Sequence, residues 1–357
     1  MTQHTERRVS VIIPARNEEG NIARAVRSVA TQQPVREIIV VDDASTDRTS
    51  GIVQELAREI PTVRAIRLDD LPEGWTGKSH ALAEGAKAAS GVWLLFTDAD
   101  TEHRAGSLAA LLARAENERA DLLSVSPGQR VVSWWEKAVI PFVFVRLARL
   151  YRFEEVSDIH SSAAAANGQY LLIRREVYER NGGHEAVRAE ILEDVELARR
   201  VKNAGGRLIF LPGAEWVETR MYDSFVGMWN GWTKNLYLLF DRNLARISRT
   251  LVEVAFLDMI LPLAFFALCL AMALGPANAG VAVVAVGFFL AALWRQWSYS
   301  AAIEGLGFDP RLANYLIIGA GLFNLLLMNS VLAYRSRGKV IWKGRKYSAS
   351  QRPRGEP

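Results

Sequence analysis

Short β-branched runs alternate with stretches of helical spacing through the first hundred residues, and the runs end in polar or acidic clusters. Val9-Ser10-Val11-Ile12-Ile13-Pro14 is the first run, and residues 16–32 then place Ile22, Ala25, Val26 and Val29 at helical spacing. Residues 37–41 form a second run. Residues 47–60 are again helical, with Ile52, Val53, Leu56 and Ala57 on one side. Residues 62–68 read as a third strand, 79–89 as a third helix and 92–97 as a fourth strand. This rhythm predicts right-handed crossovers and a parallel sheet with helices on both faces, an α/β domain. Ligands of such sheets bind beyond the carboxyl ends of the strands.

Those ends carry the unusual residues. The first strand gives Pro14-Ala15-Arg16-Asn17-Glu18-Glu19, the second Asp42-Asp43-Ala44-Ser45-Thr46-Asp47, and the fourth Asp98-Ala99-Asp100. Helix capping explains Asn17, Ser45 and Asp47, and acids in a first turn suit the helix dipole. Asp42 and Asp43 together exceed what a cap needs. Asp98 and Asp100 read either as a polar strand end or as a pair offered to a divalent cation. A hard cation held by one or two carboxylates completes its shell with phosphate oxygens and water, which points to a nucleotide diphosphate. Leu71-Pro72-Glu73-Gly74-Trp75-Thr76-Gly77-Lys78-Ser79 is a glycine-containing loop, and Lys78 at a helix start can pair with phosphate. It is not a P-loop, because Pro72 stands where the first glycine would be and the loop does not follow the first strand.

The ordered set of Val-Ile-Ile-Pro-Ala-Arg-Asn-Glu-Glu, Val-Val-Asp-Asp-Ala-Ser-Thr-Asp, Lys78 with Ala81-Leu82, Thr-Asp-Ala-Asp and Glu193-Asp194 resembles family 2 glycosyltransferases of the GT-A fold, over about residues 9–240. Pro-Glu-Gly-Trp-Thr-Gly-Lys, residues 163–168 and Arg220-Met221-Tyr222 look like members that glycosylate membrane lipids, of the carotenoid-type and hopanoid-associated kinds. The resemblance implies a Rossmann-like nucleotide-sugar-binding domain with these roles. Asp43 hydrogen-bonds the uracil edge of a UDP-sugar, backbone near Pro14 and Ala15 lines the same pocket, and Glu18 lies close to the ribose. Asp98 faces the nucleoside, Asp100 holds Mg²⁺ or Mn²⁺, Lys78 neutralises phosphate and Asp194 is the general base. Transfer to a hydroxyl needs a carboxylate to take the acceptor's proton. With one base and no nucleophile on the opposite face, direct displacement with inversion is expected. The alternative for Glu193 and Asp194 is that they only open a helix at Val195. Asn167-Gly168 marks a turn, with Asn167 either touching sugar hydroxyls or serving the turn alone. His184 in a glycine turn either touches acceptor or metal or is structural, the structural reading being favoured for it and more so for His160.

Processive synthases carry Gln-x-x-Arg-Trp after the base, whereas Met228-Trp229-Asn230-Gly231-Trp232 keeps only the tryptophan, which argues for single transfer. Trp232 either lines the acceptor mouth or, with Trp229 and Tyr237, marks a membrane interface.

The C-terminal part carries three apolar segments, 251–274, 280–300 and 315–334, and about 20 apolar residues span a bilayer. The second segment qualifies only if it continues through Arg295. The organisation expected is a catalytic domain at 1–225, an interfacial helix or linker at 226–250, a transmembrane domain at 251–334 and a basic tail at 335–357. Glu253 and Asp258, early in the first segment, are expected at the headgroups. Three spans and a basic tail disagree with the positive-inside rule, so a re-entrant segment or a hidden fourth passage near 295–314 is expected, with residues 341–347 along anionic headgroups. Residues 131–153 are either an interfacial helix or a buried one. The polar start predicts no secretory signal peptide, and hence a cytoplasmic catalytic domain in a multi-pass cell-membrane protein. The single cysteine, Cys269, allows no intrachain disulfide. The net charge of +4 suits an anionic membrane surface, and the scattered basic residues do not suit nucleic acid.

The expected function is transfer of one hexose from a UDP-sugar to a hydroxyl of an apolar membrane lipid, with the bilayer as partner. The alternatives are polysaccharide synthesis, transfer to a polyprenyl phosphate, and an inactive membrane scaffold or transporter component.

Overall fold

A computed structural model describes residues 9–275, 279–336, 339–342 and 345–348. The polar residues 1–8, Pro276 and the basic positions Arg337 and Lys343 lie outside them. In chain order the elements are β1 (Val9–Ala15), α1 (Ile22–Ala30), β2 (Val35–Asp43), α2 (Thr49–Glu59), β3 (Val63–Leu68), α3 (Gly77–Ala88), β4 (Trp93–Phe96), β5 (Thr101–His103), α4 (Ser107–Asn117) and β6 (Leu122–Gln129). There follow α5 (Trp134–Leu150), α6 (Phe153–Ser157), β7 (Leu171–Arg174), α7 (Arg175–Arg180), α8 (Glu193–Asn203), β8 (Leu208–Thr219), α9 (Phe225–Leu239) and α10 (Leu244–Val254). The last are α11 (Leu261–Leu274), α12 (Ala279–Glu304), α13 (Leu316–Arg335), β9 (Lys339–Trp342) and β10 (Arg345–Ser348).

Two compact units divide the chain. The first falls within Met1–Arg130, Tyr151–Met221 and Lys343–Pro357, the second within Val131–Leu150 and Tyr222–Trp342.

The first unit is built on an eight-stranded sheet of order β3-β2-β1-β4-β7-β6-β8-β5. The four strands expected from the alternation pair in parallel, with Ile12 opposite Ile39 and Phe96. Beyond β4 the sheet is mixed: β7 runs antiparallel to β4 and β6, β8 parallel to β6, and β5 antiparallel to β8. The period-2 alternation of strand side chains loads both faces. Val11, Ile13, Ile38, Val40 and Leu95 pack with Ile22 and Val26 of α1, Val53 and Leu56 of α2 and Leu108 of α4. Ile12, Ile39, Val41, Leu94 and Phe96 pack on the other side with Ala81, Leu82 and Ala86 of α3 and Leu197 of α8. Continuous burial along β1 and β2 follows from this double coverage.

The second unit is helical. Three of its helices are long and apolar enough to cross a membrane, Leu244–Leu274, Ala279–Glu304 and Pro310–Arg335, which points to membrane association. Phe266 and Leu270 of α11 and Val283 and Trp297 of α12 are exposed, as suits a lipid-facing surface. Residues 295–304, one place proposed for a hidden passage, continue α12, and 310–315 form a 3₁₀ turn into α13; no fourth such helix occurs among the described residues. The second apolar segment runs through Arg295 because Asp258 meets that guanidinium.

Asp258 is fully buried within the second unit. It sits on a π-helical turn, Ala255–Ile260, and accepts a hydrogen bond from Arg146 Nη2 at 2.7 Å while pairing with Arg295. A π-turn carries one extra residue per turn and so re-aims its side chains. Glu253 accepts from Arg146 Nη1 at 2.7 Å. Residues 131–153 take the buried alternative over most of their length. Val139, Phe142 and Val143 of α5 are buried, and α13 approaches so closely at Gly319 that a Cβ there would overlap the Ala138 carbonyl.

Candidate active site

The expected site residues of the first unit gather beyond the strand ends. Pro14 and Ala15 close β1, in register with Val41 and Asp42 of β2. The turns after β1 and β2 are laced together. Asn17 N–H donates to Ser45 Oγ, Thr46 N–H donates to Asn17 Oδ1, and Glu18 N–H donates to Thr49 Oγ1. The Glu18 carboxylate accepts from Asn21 at 2.9 Å. Asp47 accepts from the Thr49 and Glu19 amides, a capping role.

Asp42 and Asp43 divide by the pleat. Asp42 accepts from Ser45 N–H at 3.0 Å and from Arg67 at 3.3 Å, so it braces its own turn. Asp43 is 6% exposed and receives Arg345 of β10 on both carboxylate oxygens. Instead of lying along headgroups, as expected for residues 341–347, the Arg345 side chain is on the catalytic unit.

The loop ending in Lys78 closes with a helix cap. Thr76 Oγ1 accepts from Ser79 N–H at 3.1 Å and caps α3. Thr76 N–H donates to the Arg188 carbonyl. Lys78 thereby enters a cluster of acids, its Nζ 2.9 Å from Asp98 Oδ1 and 2.9 Å from Glu193 Oε1. Burial works against its charge, but Asp98, Glu193 and Asp194 outweigh that and hold its pKa well above the ordinary lysine range. Glu193 and Asp194 do open a helix, α8, and both also face this cluster. Asp194 Oδ2 accepts from Gly168 N–H at 2.7 Å and Oδ1 from Val195 N–H at 2.8 Å. Burial and the neighbouring Glu193 charge push the Asp194 carboxyl up to about 6, against the pull of Lys78 and the two amides. That value suits a group that takes up a proton near neutral pH.

The turn holding Gly168 escaped sequence reasoning in its main point. Asn167 Oδ1 accepts from Gln169 N–H and serves the turn, while Ser124 Oγ accepts from Asn167 N–H. Gly168 is the close-approach residue: a Cβ there would lie 2.9 Å from Lys78 Nζ and 3.3 Å from Asp194 Oδ2. His103 was also missed. Buried beside Thr97 at 3.0 Å, it is pushed down to about 4 by burial and helps fix the strand end that leads to Asp98. His184 is structural, as expected: its Nδ1 lies 3.0 Å from Tyr178 Oη, and burial, with Lys78 adding, holds it down to about 3. His160 is exposed.

Asp100 accepts from Thr101 Oγ1 at 3.4 Å. It lies in a shallow surface depression with Arg24, Glu102, Arg130, Glu218, Thr219 and Arg220. No cluster of three or more His, Cys, Asp or Glu side chains suited to a metal occurs among the described residues. A cation here would therefore take one or two carboxylates and finish its shell with ligand oxygens and water. Trp232 belongs to the second unit and is buried there, edge-on to Phe144 and Tyr222.

Comparison with known proteins identifies the domain. Residues 10–182 match Glycosyl transferase family 2. The chain is 27% identical over 350 residues to a 4,4'-diaponeurosporenoate glycosyltransferase of Staphylococcus aureus strain MRSA252, covering 96% of this chain and 89% of that one. It is 30% identical over 235 residues to the enzyme of that name from Staphylococcus haemolyticus strain JCSC1435, covering 65% and 62%. In fold it is similar to the mannosyltransferase PcManGT from Pyrobaculum calidifontis, solved with GDP-Man and Mn²⁺, with a TM-score of 0.50 and 23% identity over 91% of this chain and 90% of that one. The chain is a glycosyltransferase with a family 2 domain on a GT-A fold.

Proposed function

We propose that the chain transfers a single hexose from a nucleotide sugar, UDP-linked, to an apolar carotenoid-type lipid, with inversion at the anomeric carbon. The observation that carries this reading is the meeting of Lys78, Asp98, Glu193 and Asp194 beyond the strand ends of an α/β sheet. Asp43 with the backbone at Pro14 and Ala15 receives the nucleobase, Glu18 stands near the ribose, and Asp98 faces the nucleoside. Lys78 exchanges its acid partners for diphosphate oxygens as the donor binds. Asp100 holds Mg²⁺ or Mn²⁺, which would supply charge neutralisation on the leaving diphosphate. Mn²⁺ accompanies the nucleotide sugar in the structural relative, which supports a divalent cation in this role. Asp194, oriented by two main-chain amides, takes the acceptor's proton. The exposed apolar helices support a membrane setting with the acceptor drawn from the bilayer, and we place the catalytic unit on the cytoplasmic side, where nucleotide sugars are made.

The relatives' names favour a second reading of the acceptor oxygen. Diaponeurosporenoate is a carboxylate, already ionised, and would need no base. Asp194 would then orient the acceptor, and the product would be a glycosyl ester.

Membranes from a host expressing wild type or Asp194→Asn, given mixed nucleotide sugars, are analysed for lipids by mass spectrometry. A lipid gaining one hexose with wild type alone is expected; a ladder of hexoses would reject single transfer. Mild alkali separates the acceptors, since it cleaves a glycosyl ester and leaves a glycoside intact.

A further inference from the structure

Arg345 and Asp43 lie 302 positions apart in the chain and meet in the first unit. Arg345 Nη2 donates to Asp43 Oδ1 at 2.9 Å, and Nη1 pairs with Oδ2. Both groups are withdrawn from water, at 18% and 6% side-chain exposure. A guanidinium fork matches the two oxygens of a carboxylate and engages both. Gly77, at the start of α3, completes the enclosure. Any side chain there would overlap the Arg345 guanidinium and Asp43 Oδ2, so glycine is what admits the arginine to this position. The nearby Arg16 donates instead to the main-chain carbonyls of Asp43 and Ala44, at 2.6 and 3.3 Å.

We infer that Arg345 is a donor-site residue that holds Asp43 in the empty enzyme and is displaced when the nucleobase takes Asp43. The inference rests on the role proposed above for Asp43. A base edge approaching the same side of this carboxylate meets lone pairs that the fork already holds, one on each oxygen. Arginine and nucleobase therefore compete for one acceptor. Donor binding releases Arg345, and with it the hold of β10 on the end of β2. The C-terminal strand thus reports whether the nucleotide pocket is filled.

The test uses the full chain in detergent micelles, with UDP and Mn²⁺ titrated by calorimetry. Arg345→Ala removes the competitor and is expected to bind UDP about tenfold more tightly, the effect of deleting one charge-assisted contact. Arg345→Lys, which keeps charge without the fork, should fall between. On the wild type, mass spectrometry of brief trypsin digests should show faster cleavage after Arg345 when UDP and Mn²⁺ are saturating. Equal or weaker UDP binding by Arg345→Ala, or UDP-independent cleavage after Arg345, would overturn the inference. Asp43→Ala separates the two levels. If it loses UDP binding while Arg345→Ala binds as wild type, competition is wrong and the role of Asp43 stands. If both variants bind as wild type, Asp43 is not the base partner and the inference falls with it.

Discussion

Lys78→Gln should move the acid limb of the pH–activity profile towards alkaline pH. Its Nζ is paired with Asp98 and Glu193, and the position of Gly168 ties it to Asp194 as well. The Cβ position at Gly168 lies within contact of both groups, so Lys78 Nζ and Asp194 Oδ2 are no more than roughly 6 Å apart. Two unit charges at that separation and an effective dielectric of about 20 interact by about 3 kcal/mol, equivalent to about 2 pKa units. The lysine side chain is 36% exposed, so water screens part of this, and a shift of about 1 unit is expected. The sign follows from the charges. Lys78 stabilises ionised Asp194, and its removal raises a carboxyl that already stands at about 6. A base must be ionised to work, so the half-maximal point should rise from about 6 to about 7. The assay is kcat/KM for the donor against pH, with circular dichroism to establish folding. Weaker phosphate binding lowers the whole curve without moving its midpoint, and Lys78→Arg should keep the midpoint near the wild-type value. An unmoved acid limb in an active Lys78→Gln enzyme would refute Asp194 as the titrating base.

Asp100→Asn should abolish Mn²⁺-dependent UDP binding in calorimetry while leaving the far-ultraviolet dichroism unchanged; retained binding would remove Asp100 from the cation. Asp258→Ala strips the shared acid from Arg146 and Arg295 and should destabilise the second unit by about 3–5 kcal/mol, read as a lower unfolding temperature in detergent. An unchanged temperature would mean that the two arginines find other acceptors. Glu37 is buried in β2. Burial opposes its charge, but hydrogen bonds from Ser90, Arg64 and Ser10 outweigh this and hold its carboxyl down to about 2. A depressed folded value gives stability that is full above the unfolded carboxylate range and is lost as pH falls through it towards about 2. That linkage amounts to about 3 kcal/mol. Glu37→Gln should start less stable at neutral pH and lose less between pH 4.5 and 2; parallel acid curves would refute the assignment.

The first, second and fourth strands were legible because each carries an uninterrupted apolar run, and β3, interrupted by Arg64 and Arg67, because it falls between two stretches of helical spacing. The mixed half of the sheet was not. β7 has four residues and β5 three, too few to show a period, and their pairing is set by contacts distant in sequence. The acids at the strand ends were found by composition, and the division of labour between Asp42 and Asp43 follows from the pleat. Gly168 gave no signal, since what matters there is the absence of a Cβ beside Lys78 and Asp194. Arg295 looked like an interruption of an apolar segment until Asp258 supplied its partner. Arg345 was read as one more basic tail residue, because nothing local in a sequence couples it to a carboxylate 302 positions earlier.

The seating of Gly319 against Ala138 also sets an order of events during synthesis. α5 leaves the ribosome well before α13, yet each covers the other's apolar face. Val139, Phe142 and Val143 therefore wait without their final neighbours while some 180 further residues are translated and inserted. A chain arrested before α13 exposes an unfinished surface, and quality-control proteases would meet it in that state.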